Sequence, residues 1–197
     1  GRLRDRPFTS MTTVVPAVAD AIEARLDQPF ALFGHSLGAF IAFELAREFA
    51  RRGTPAPVHL FVSGQRPPHT PPRWPPVYAL RDAEFLVAII ERYDAVPRDV
   101  LAHPELMRIL MPLLRADFTM HDTYAFVPSD PLECPVTAFC AEDDPEAPAS
   151  DAYRWREQTR SRFNVRAFSG GHFFLNHERS AMLCAIAAEL APLTSMF

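Results

Sequence analysis

After a charged start, the chain first shows an amphipathic pattern. Between residues 12 and 26, apolar side chains recur every three or four positions, as they do along one face of a helix. Thr12 or Thr13 can cap such a helix, and Pro16 suits its first turn, where a missing N–H costs little. The pattern therefore predicts a helix over residues 12–26.

Two continuous apolar runs follow, and a second helical pattern separates them. Residues 30–33 and 58–62 are short and almost entirely apolar, which is typical of strands buried on both faces of a sheet. Residues 37–52 have helical spacing and stop at Gly53, a residue type that often ends helices. A strand, a helix and a strand in this order predict a parallel sheet with a right-handed crossover.

Residues 65–130 break this alternation. They begin with a proline-rich stretch and then show helical spacing without strand patterns. Two segments each carry an apolar face, although Pro112 should kink the second. These faces consist of Phe85, Leu86, Ile89, Ile90 and Tyr93, and of Leu106, Ile109, Leu110, Leu113 and Leu114. We interpret the region as a helical insertion over one end of the sheet.

Strand and helix patterns resume after the insertion. The predicted elements are, in chain order, a strand at 135–140, a helix at 150–159, a strand at 163–168 and a helix at 178–190. We therefore divide the chain into a core segment at 1–64, a helical insertion at 65–130 and a second core segment at 131–197. The predicted fold class is α/β with a mostly parallel sheet.

Composition and charge argue against several classes of protein. The 197 residues carry a formal net charge of −4, which gives no electrostatic case for binding nucleic acid or an anionic membrane. No stretch approaches the ~20 apolar residues of a membrane helix, and the charged start is unlike a secretory signal. The three cysteines lack the spacing of a zinc site, so we expect reduced thiols and a cytoplasmic protein.

The strongest chemical signal is the motif Gly34-His35-Ser36-Leu37-Gly38 between a predicted strand and a predicted helix. A serine on such a sharp turn is a nucleophile elbow, because the strained backbone pushes the hydroxyl out at the carboxyl edge of the sheet. Glycines at both ends leave room for the neighbouring strand and helix. The Leu37 N–H, at the start of the helix, would point toward a developing oxyanion.

A serine hydroxyl is a weak nucleophile unless a base takes its proton, so a histidine is expected later in the chain. His172 follows a predicted strand and precedes the last predicted helix. Glycines at 170–171 allow a loop there that brings the imidazole over the edge of the sheet. His177 is the weaker candidate, since it falls near the start of the last helix. We therefore predict His172 as the base.

The base needs a carboxylate that fixes its tautomer and stabilises its charged form. In hydrolases with a nucleophile elbow, the acid lies between the serine and the histidine along the chain. Asp143 and Asp144 follow the strand at 135–140, within an acidic run that is also typical of a solvated loop. We favour Asp144, because Pro145 behind it holds its backbone extended. Asp143 stays open as the alternative.

Three motifs together resemble the type II thioesterases, stand-alone α/β-hydrolases that accompany modular polyketide and nonribosomal peptide synthases. The motifs are FALFGHSLGA at 30–39, LRADF at 114–118 and GGHFFL at 170–175. The resemblance extends over essentially the whole chain, and the helical insertion corresponds to the lid of that family. The elbow alone is shared by many hydrolases, whereas the combination of motifs is much more specific.

The resemblance implies an α/β-hydrolase fold with a lid and a triad of Ser36, Asp144 and His172. The implied reaction is hydrolysis of an aberrant or stalled acyl group from the phosphopantetheine arm of an acyl or peptidyl carrier protein. It serves editing or release in antibiotic biosynthesis. This chemistry needs no metal or organic cofactor. The implied partners are carrier domains of a modular synthase.

The sequence departs from the family pattern at two places. Cys140 and Ala141 stand where the family usually has small glycines before the acid. Family members also begin with further strands and a glycine-containing loop that supplies a second oxyanion donor, and those strands are expected upstream of this sequence. Gly1-Arg2 resembles the tail of a proline-glycine-arginine segment in that region.

Three other functions fit part of the pattern. Malonyl-type acyltransferases share the elbow, but they typically have glutamate at the position of Ala39, and their histidine does not follow two glycines. A carboxylesterase could use the same triad on oxygen esters. A non-catalytic binding module with this fold would need a broken triad, whereas the three candidate residues here are intact.

Overall fold

A computed structural model describes residues 5–93 and 96–194. These residues contain one sheet of four parallel strands, whose spatial order follows their order along the chain. The strands are β1 (Ala31–His35), β2 (His59–Ser63), β3 (Val136–Ala141) and β4 (Phe163–Phe168). The predicted parallel sheet is therefore confirmed, and the observed ends of the strands differ from the predicted ends by at most two residues. The family-like segment predicted at Gly1-Arg2 lies outside the described residues.

Helices occupy the connections between the strands. They are α1 (Met11–Ile22), α2 (Leu37–Arg52), α3 (Asp82–Tyr93), α4 (Arg98–Leu101), α5 (Pro104–Thr123), α6 (Ala149–Ala152) and α7 (Arg179–Thr194). Short 3₁₀ turns lie at Glu23–Arg25, Tyr153–Gln158 and Phe174–Asn176. No helix in the described parts of the chain is both long enough and apolar enough to cross a membrane.

The first helix begins earlier than the sequence pattern indicated. Ser10 is the residue before α1, and its backbone carbonyl accepts hydrogen bonds from the N–H groups of Thr13 and Val14. The prediction of Thr12 or Thr13 as the cap is therefore wrong. Pro16 consequently lies in the second turn of the helix, not in the first. The apolar spacing thus located the start of the helix to within one residue, and the Ser10 side chain makes no capping hydrogen bond to the backbone.

The sheet is covered on both faces. Leu60, Val62 and Val136 belong to one cluster, which packs against α2 and the buried Trp155. The alternate residues Phe61 and Phe139 belong to a second cluster with side chains of α7. Because successive strand side chains point to opposite faces, these clusters fill the two sides of the sheet. All residues of β2 and β3 are buried.

The connection between β2 and β3 contains α3, α4 and α5, which we call the lid helices. Within the lid, Phe85, Ile89 and Tyr93 of α3 are buried in a separate apolar cluster, as the spacing predicted. The second predicted face is largely exposed, since its Leu106 and Ile109 are 43% and 54% exposed. Helix α5 instead buries the side chains of Ala116 and Met120. Its chain is helical through Pro112.

Candidate active site

Ser36 lies in a sharp turn between β1 and α2. Its φ of 53° is positive, and no other non-glycine residue in the described parts of the chain has a positive φ. Residues with side chains rarely adopt this conformation, which costs of order 1–3 kcal/mol and is typical of functional sites. The N–H of Ser36 donates to the Ser63 carbonyl oxygen at 2.8 Å, which ties the turn to the end of β2. The elbow geometry predicted from the sequence is present.

The two glycines of the motif have different roles. A Cβ on Gly34 would lie 1.9 Å from the carbonyl oxygen of Gly38, so the backbones of β1 and α2 approach too closely for any side chain there. A Cβ on Gly38 would meet nothing within 4 Å. Gly34 is therefore required sterically, whereas the expected steric need for a glycine at 38 is not found.

His172 joins Ser36 to Asp144. Its Nε2 lies 3.0 Å from the Ser36 hydroxyl oxygen, and its Nδ1 lies 2.9 Å from Asp144 Oδ2. An ionised carboxylate only accepts hydrogen bonds, so Nδ1 carries the proton and donates to Asp144. The unprotonated Nε2 then accepts from the serine hydroxyl. His172 and Asp144 are 5% and 2% exposed, which shields this chain of hydrogen bonds from water.

The two candidate acids differ in their contacts. The second Asp144 oxygen, Oδ1, accepts a hydrogen bond from the Glu146 N–H at 2.9 Å, which orients the carboxylate. The side chain of Asp143 is exposed, while its N–H donates to the Gly170 carbonyl at 3.0 Å. The structure thus brings Asp144 to the imidazole, and the Asp143 backbone holds the loop that carries His172.

The loop of His172 is held by glycine and by aromatic packing. Gly170 has a φ of 95°, a conformation that suits glycine. Phe174 is 1% exposed, and its ring stacks on Phe168 at a centroid distance of 5.3 Å. This buried ring anchors the chain directly after His172. His177 is exposed and is not part of the hydrogen-bonded group.

His35 is a further residue of the site that the sequence reasoning missed. Its Nδ1 lies 2.9 Å from the Ser63 hydroxyl, and its ring centroid lies 5.1 Å from that of His172. Burial lowers the pKa of His35 to about 4, and a positive charge on His172 acts in the same direction. The imidazole is therefore neutral at physiological pH. Its place beside Ser36 in the motif was the available signal.

A cavity of about 410 Å³ opens at Ser36. Its lining is mainly apolar and comes from the elbow, the lid helices and the histidine loop: Leu37, Ile41, Tyr93, Leu114, Phe118 and Phe173. Leu37 is the first residue of α2, so its N–H is one of the donors that a helix leaves without a partner of its own. The cavity can hold an acyl chain next to the Ser36 hydroxyl and a backbone donor.

Within residues 5–93 and 96–194, no group of three or more His, Cys, Asp or Glu side chains is arranged to hold a metal ion. The three cysteines have no disulfide partner, and two of them, Cys134 and Cys140, are buried. Burial raises the pKa of Cys134 to about 11 and also raises the pKa of Cys140. Both thiols are therefore protonated near neutral pH and act as small apolar side chains.

Comparison with known proteins gives matches over nearly the whole chain. A family model described as the thioesterase domain matches residues 1–190. The gramicidin S biosynthesis protein GrsT of Aneurinibacillus migulanus is 38% identical over 184 residues, which are 93% of this chain and 72% of that protein.

Solved structures give the same result. The thioesterase RedJ from the prodiginine pathway of Streptomyces coelicolor superposes with a TM-score of 0.87 at 41% identity, over 95% of this chain and 74% of that one. The type II thioesterase YbtT from the yersiniabactin pathway superposes with a TM-score of 0.83 at 30% identity, over 95% and 77% of the two chains.

Proposed function

The chain belongs to the thioesterase family, and on that premise we propose that it hydrolyses acyl thioesters with Ser36, His172 and Asp144. Its fold is that of the α/β-hydrolases, and its relatives are type II thioesterases of polyketide and nonribosomal peptide pathways. The observation that carries the assignment of residues is the hydrogen-bonded series from Ser36 through His172 to Asp144. It lies beside an apolar cavity that suits an acyl chain.

The first step transfers the acyl group to the enzyme. Nε2 of His172 takes the proton of the Ser36 hydroxyl as the oxygen attacks the thioester carbonyl carbon. The backbone N–H of Leu37 donates to the oxyanion, and Asp144 stabilises the imidazolium. The carbon–sulfur bond then breaks, and the thiol leaves with the proton that His172 had taken.

The second step releases the acid. His172 takes a proton from a water molecule, which attacks the carbonyl carbon of the acyl-serine. When the ester bond breaks, the proton returns from His172 to the Ser36 oxygen. The products are a carboxylic acid and the free enzyme, so no metal or organic cofactor takes part in either step.

We propose a carrier protein as the donor of the acyl group, attached through its phosphopantetheine arm. Support comes from the relatives, because GrsT is named for gramicidin S biosynthesis and YbtT for a mixed nonribosomal peptide and polyketide pathway. The division into core segments 1–64 and 131–197 with a lid at 65–130 is part of this proposal. The cytoplasmic location expected from the cysteines stays a prediction.

The test is hydrolysis of an acyl group loaded on a carrier protein, followed as release of free acid. Wild type should release it, and Ser36→Ala should lose on the order of 10⁴-fold or more of the rate while keeping its fold. Ser150→Ala changes an exposed serine away from the site and serves as the matched control. Near-normal turnover by Ser36→Ala would overturn the assignment.

The same assay separates thioesterase from esterase and transferase activity. Docking of a carrier protein adds binding energy, so kcat/KM should be higher for the acyl carrier protein than for the matching acyl-coenzyme A. An oxygen ester of the same acid should react more slowly. Faster turnover of the oxygen ester would favour a carboxylesterase, and transfer to a second thiol without release of acid would favour an acyltransferase.

A further inference from the structure

A second cavity, of about 350 Å³, adjoins the cavity at Ser36. Tyr93 and His121 line both cavities, so their side chains form the boundary between them. The ring centroid of Tyr93 lies 5.0 Å from that of His172. The second cavity therefore begins about one side chain away from the proposed base.

The lining of the second cavity is more polar than that of the first and contains more charged side chains. Arg66, Arg73, Arg92, Asp122 and Glu146 all line it. Burial raises the pKa of the Tyr93 hydroxyl well above its usual range, and the charges of Glu146 and Asp122 act in the same direction. The ring of Tyr93 thus packs against the imidazole of His172, and its hydroxyl interacts with the charges of the second cavity.

Each carboxylate of this cavity already has a partner, although the Oε2 atom of Glu146 is buried without a hydrogen bond. Glu146 pairs with Arg66 at 3.1 Å, and these side chains are 2% and 10% exposed. Asp122 Oδ2 accepts hydrogen bonds from the N–H groups of Val77 and Tyr78 at 2.6 and 3.1 Å, and Oδ1 lies 3.1 Å from His121 Nδ1. The ionic partners of these carboxylates are thus Arg66 and His121, not Arg73 or Arg92.

Arg73 and Arg92 are held in place by backbone carbonyl groups. Arg73 donates to the Pro145 carbonyl oxygen at 2.7 Å, and Arg92 donates to that of Pro75 at 2.9 Å. The Arg92 guanidinium also lies 5.6 Å from the ring centroid of Trp74. In the described parts of the chain, neither arginine forms an ion pair with a carboxylate. Both arginines line the cavity, and each guanidinium has N–H donors that its backbone carbonyl partner does not use.

We propose that the second cavity binds an anionic group of the thioester substrate, with Arg73 and Arg92 as its donors. A guanidinium presents donors in a planar fork that matches a carboxylate or a phosphate, and these pairs are among the stronger hydrogen bonds. Prior anchoring by Pro145 and Pro75 lowers the side-chain entropy lost on binding. The inference rests on the proposed function, since it assigns to the same enzyme a preference for thioesters that carry an anionic group.

The anion has two possible positions on a substrate of this class. It is either a carboxylate at the far end of the acyl group or the phosphate of the pantetheine arm. Three thioesters separate these sources: butyryl-pantetheine is neutral, succinyl-pantetheine adds a carboxylate to an acyl chain of equal length, and butyryl-4′-phosphopantetheine adds the phosphate. The readout is the ratio of kcat/KM for each charged thioester to that of the neutral one.

In wild type, one of the two charged thioesters should exceed the neutral one by about 10-fold to 100-fold, as expected for a charge-assisted hydrogen bond. Arg92→Gln and Arg73→Gln should each reduce that ratio, and Arg92→Lys should keep part of it because it keeps the charge. Added salt should also lower the ratio in wild type. Arg25→Gln removes an exposed arginine that lines neither cavity, so the ratio should not change.

A binding measurement keeps this inference separate from the proposed reaction. In the Ser36→Ala background, calorimetry gives the affinity for each intact thioester, with and without the arginine substitutions. Preferential binding of a charged thioester that Arg92→Gln abolishes would support the anion site even if wild type released no acid. Normal hydrolysis with a wild-type ratio near one, or a ratio that neither substitution changes, would overturn the anion site and leave the hydrolase assignment standing.

Discussion

Two neighbouring aspartates, alike in chemistry and adjacent in sequence, have different surroundings in the folded protein. Asp144 is buried and lies against His172, whereas Asp143 points to solvent. Asp144→Asn should therefore lower kcat/KM by on the order of 10⁴-fold, because an amide no longer fixes the imidazole tautomer. The measurement is thioester hydrolysis by both asparagine variants.

Asp143→Asn is the matched control, since it makes the same chemical change one residue away. We expect its activity to stay within a few-fold of wild type, as its backbone contact to Gly170 does not involve the carboxylate. A larger loss for Asp143→Asn than for Asp144→Asn would assign the acid to the other residue.

The sequence indicated Ser36, His172 and Asp144 because each carries a local signal. Ser36 lies between glycines at a strand–helix junction, His172 follows two glycines, and Asp144 precedes a proline. His35 lies in the same motif as Ser36, but the motif alone does not assign it a contact. Its partners are Ser63 and the ring of His172, which are distant in sequence, so only the folded chain reveals them.

The depressed pKa of His35 makes stability depend on pH. In the folded protein the pKa is about 4, against 6.5 in the unfolded chain, so only the unfolded state takes up this proton between those values. The neutral His35 therefore contributes to the free energy of unfolding, fully above about pH 6.5 and progressively less as the pH falls toward about 4. This contribution amounts to roughly 3 kcal/mol, from 1.36 kcal/mol per pKa unit.

Urea unfolding at two pH values measures this contribution. From about pH 7.5 to about pH 5, the free energy of unfolding of His35→Gln should fall by roughly 2 kcal/mol less than that of wild type. His103→Gln replaces an exposed imidazole and should follow the wild-type dependence. Parallel curves for wild type and His35→Gln would contradict a neutral, buried His35.

At the scale of single elements, apolar spacing predicted helices better than it predicted which face is buried. Helix α2 has the predicted limits, with Gly53 at its end in a left-handed conformation. Helix α5 does not bury the predicted face, because Leu106 and Ile109 are exposed. Spacing shows that a helix has an apolar side, but the neighbouring elements decide how much of that side is covered.

Helix α3 offers a direct test of the lid's own packing. Ile89 is fully buried and Val87, on the same helix, is 55% exposed. Ile89→Ala should lower the free energy of unfolding by about 2–5 kcal/mol through lost contacts and a cavity. Val87→Ala should change it by about 0.5 kcal/mol or less. Urea unfolding of both variants checks this, and equal losses would contradict the separate lid cluster.

The burial of α3 also limits which lid residues can touch an acyl chain. Phe85 and Ile89 pack within the lid cluster, whereas Leu114 and Phe118 of α5 line the cavity at Ser36. The sequence could not distinguish these pairs, since all four are apolar and lie within the predicted helical insertion. Changes in chain-length preference are therefore expected from Leu114 or Phe118, while changes at Phe85 act first on stability.

At the scale of the whole molecule, the sequence predicted a parallel sheet, and the structure adds that the strands pair in chain order. A parallel sheet needs long connections, and the predicted helices supplied them. The contacts between the lid and the proline-rich segment could not be predicted in the same way. They depend on hydrogen bonds from arginine side chains to proline carbonyl groups, such as Arg92 to Pro75. Such pairs produce no periodic pattern in the sequence.

The lid helices occupy the connection between two strands, β2 and β3, that are paired side by side. The entropy of closing such a loop grows only with the logarithm of its length, by about 0.6 kcal/mol for each doubling. Lengthening, shortening or exchanging this segment therefore changes the entropy of loop closure only slightly. The proposed catalytic residues can stay fixed while the segment that covers them diverges, which gives one architecture an evolutionary route to new acyl specificities.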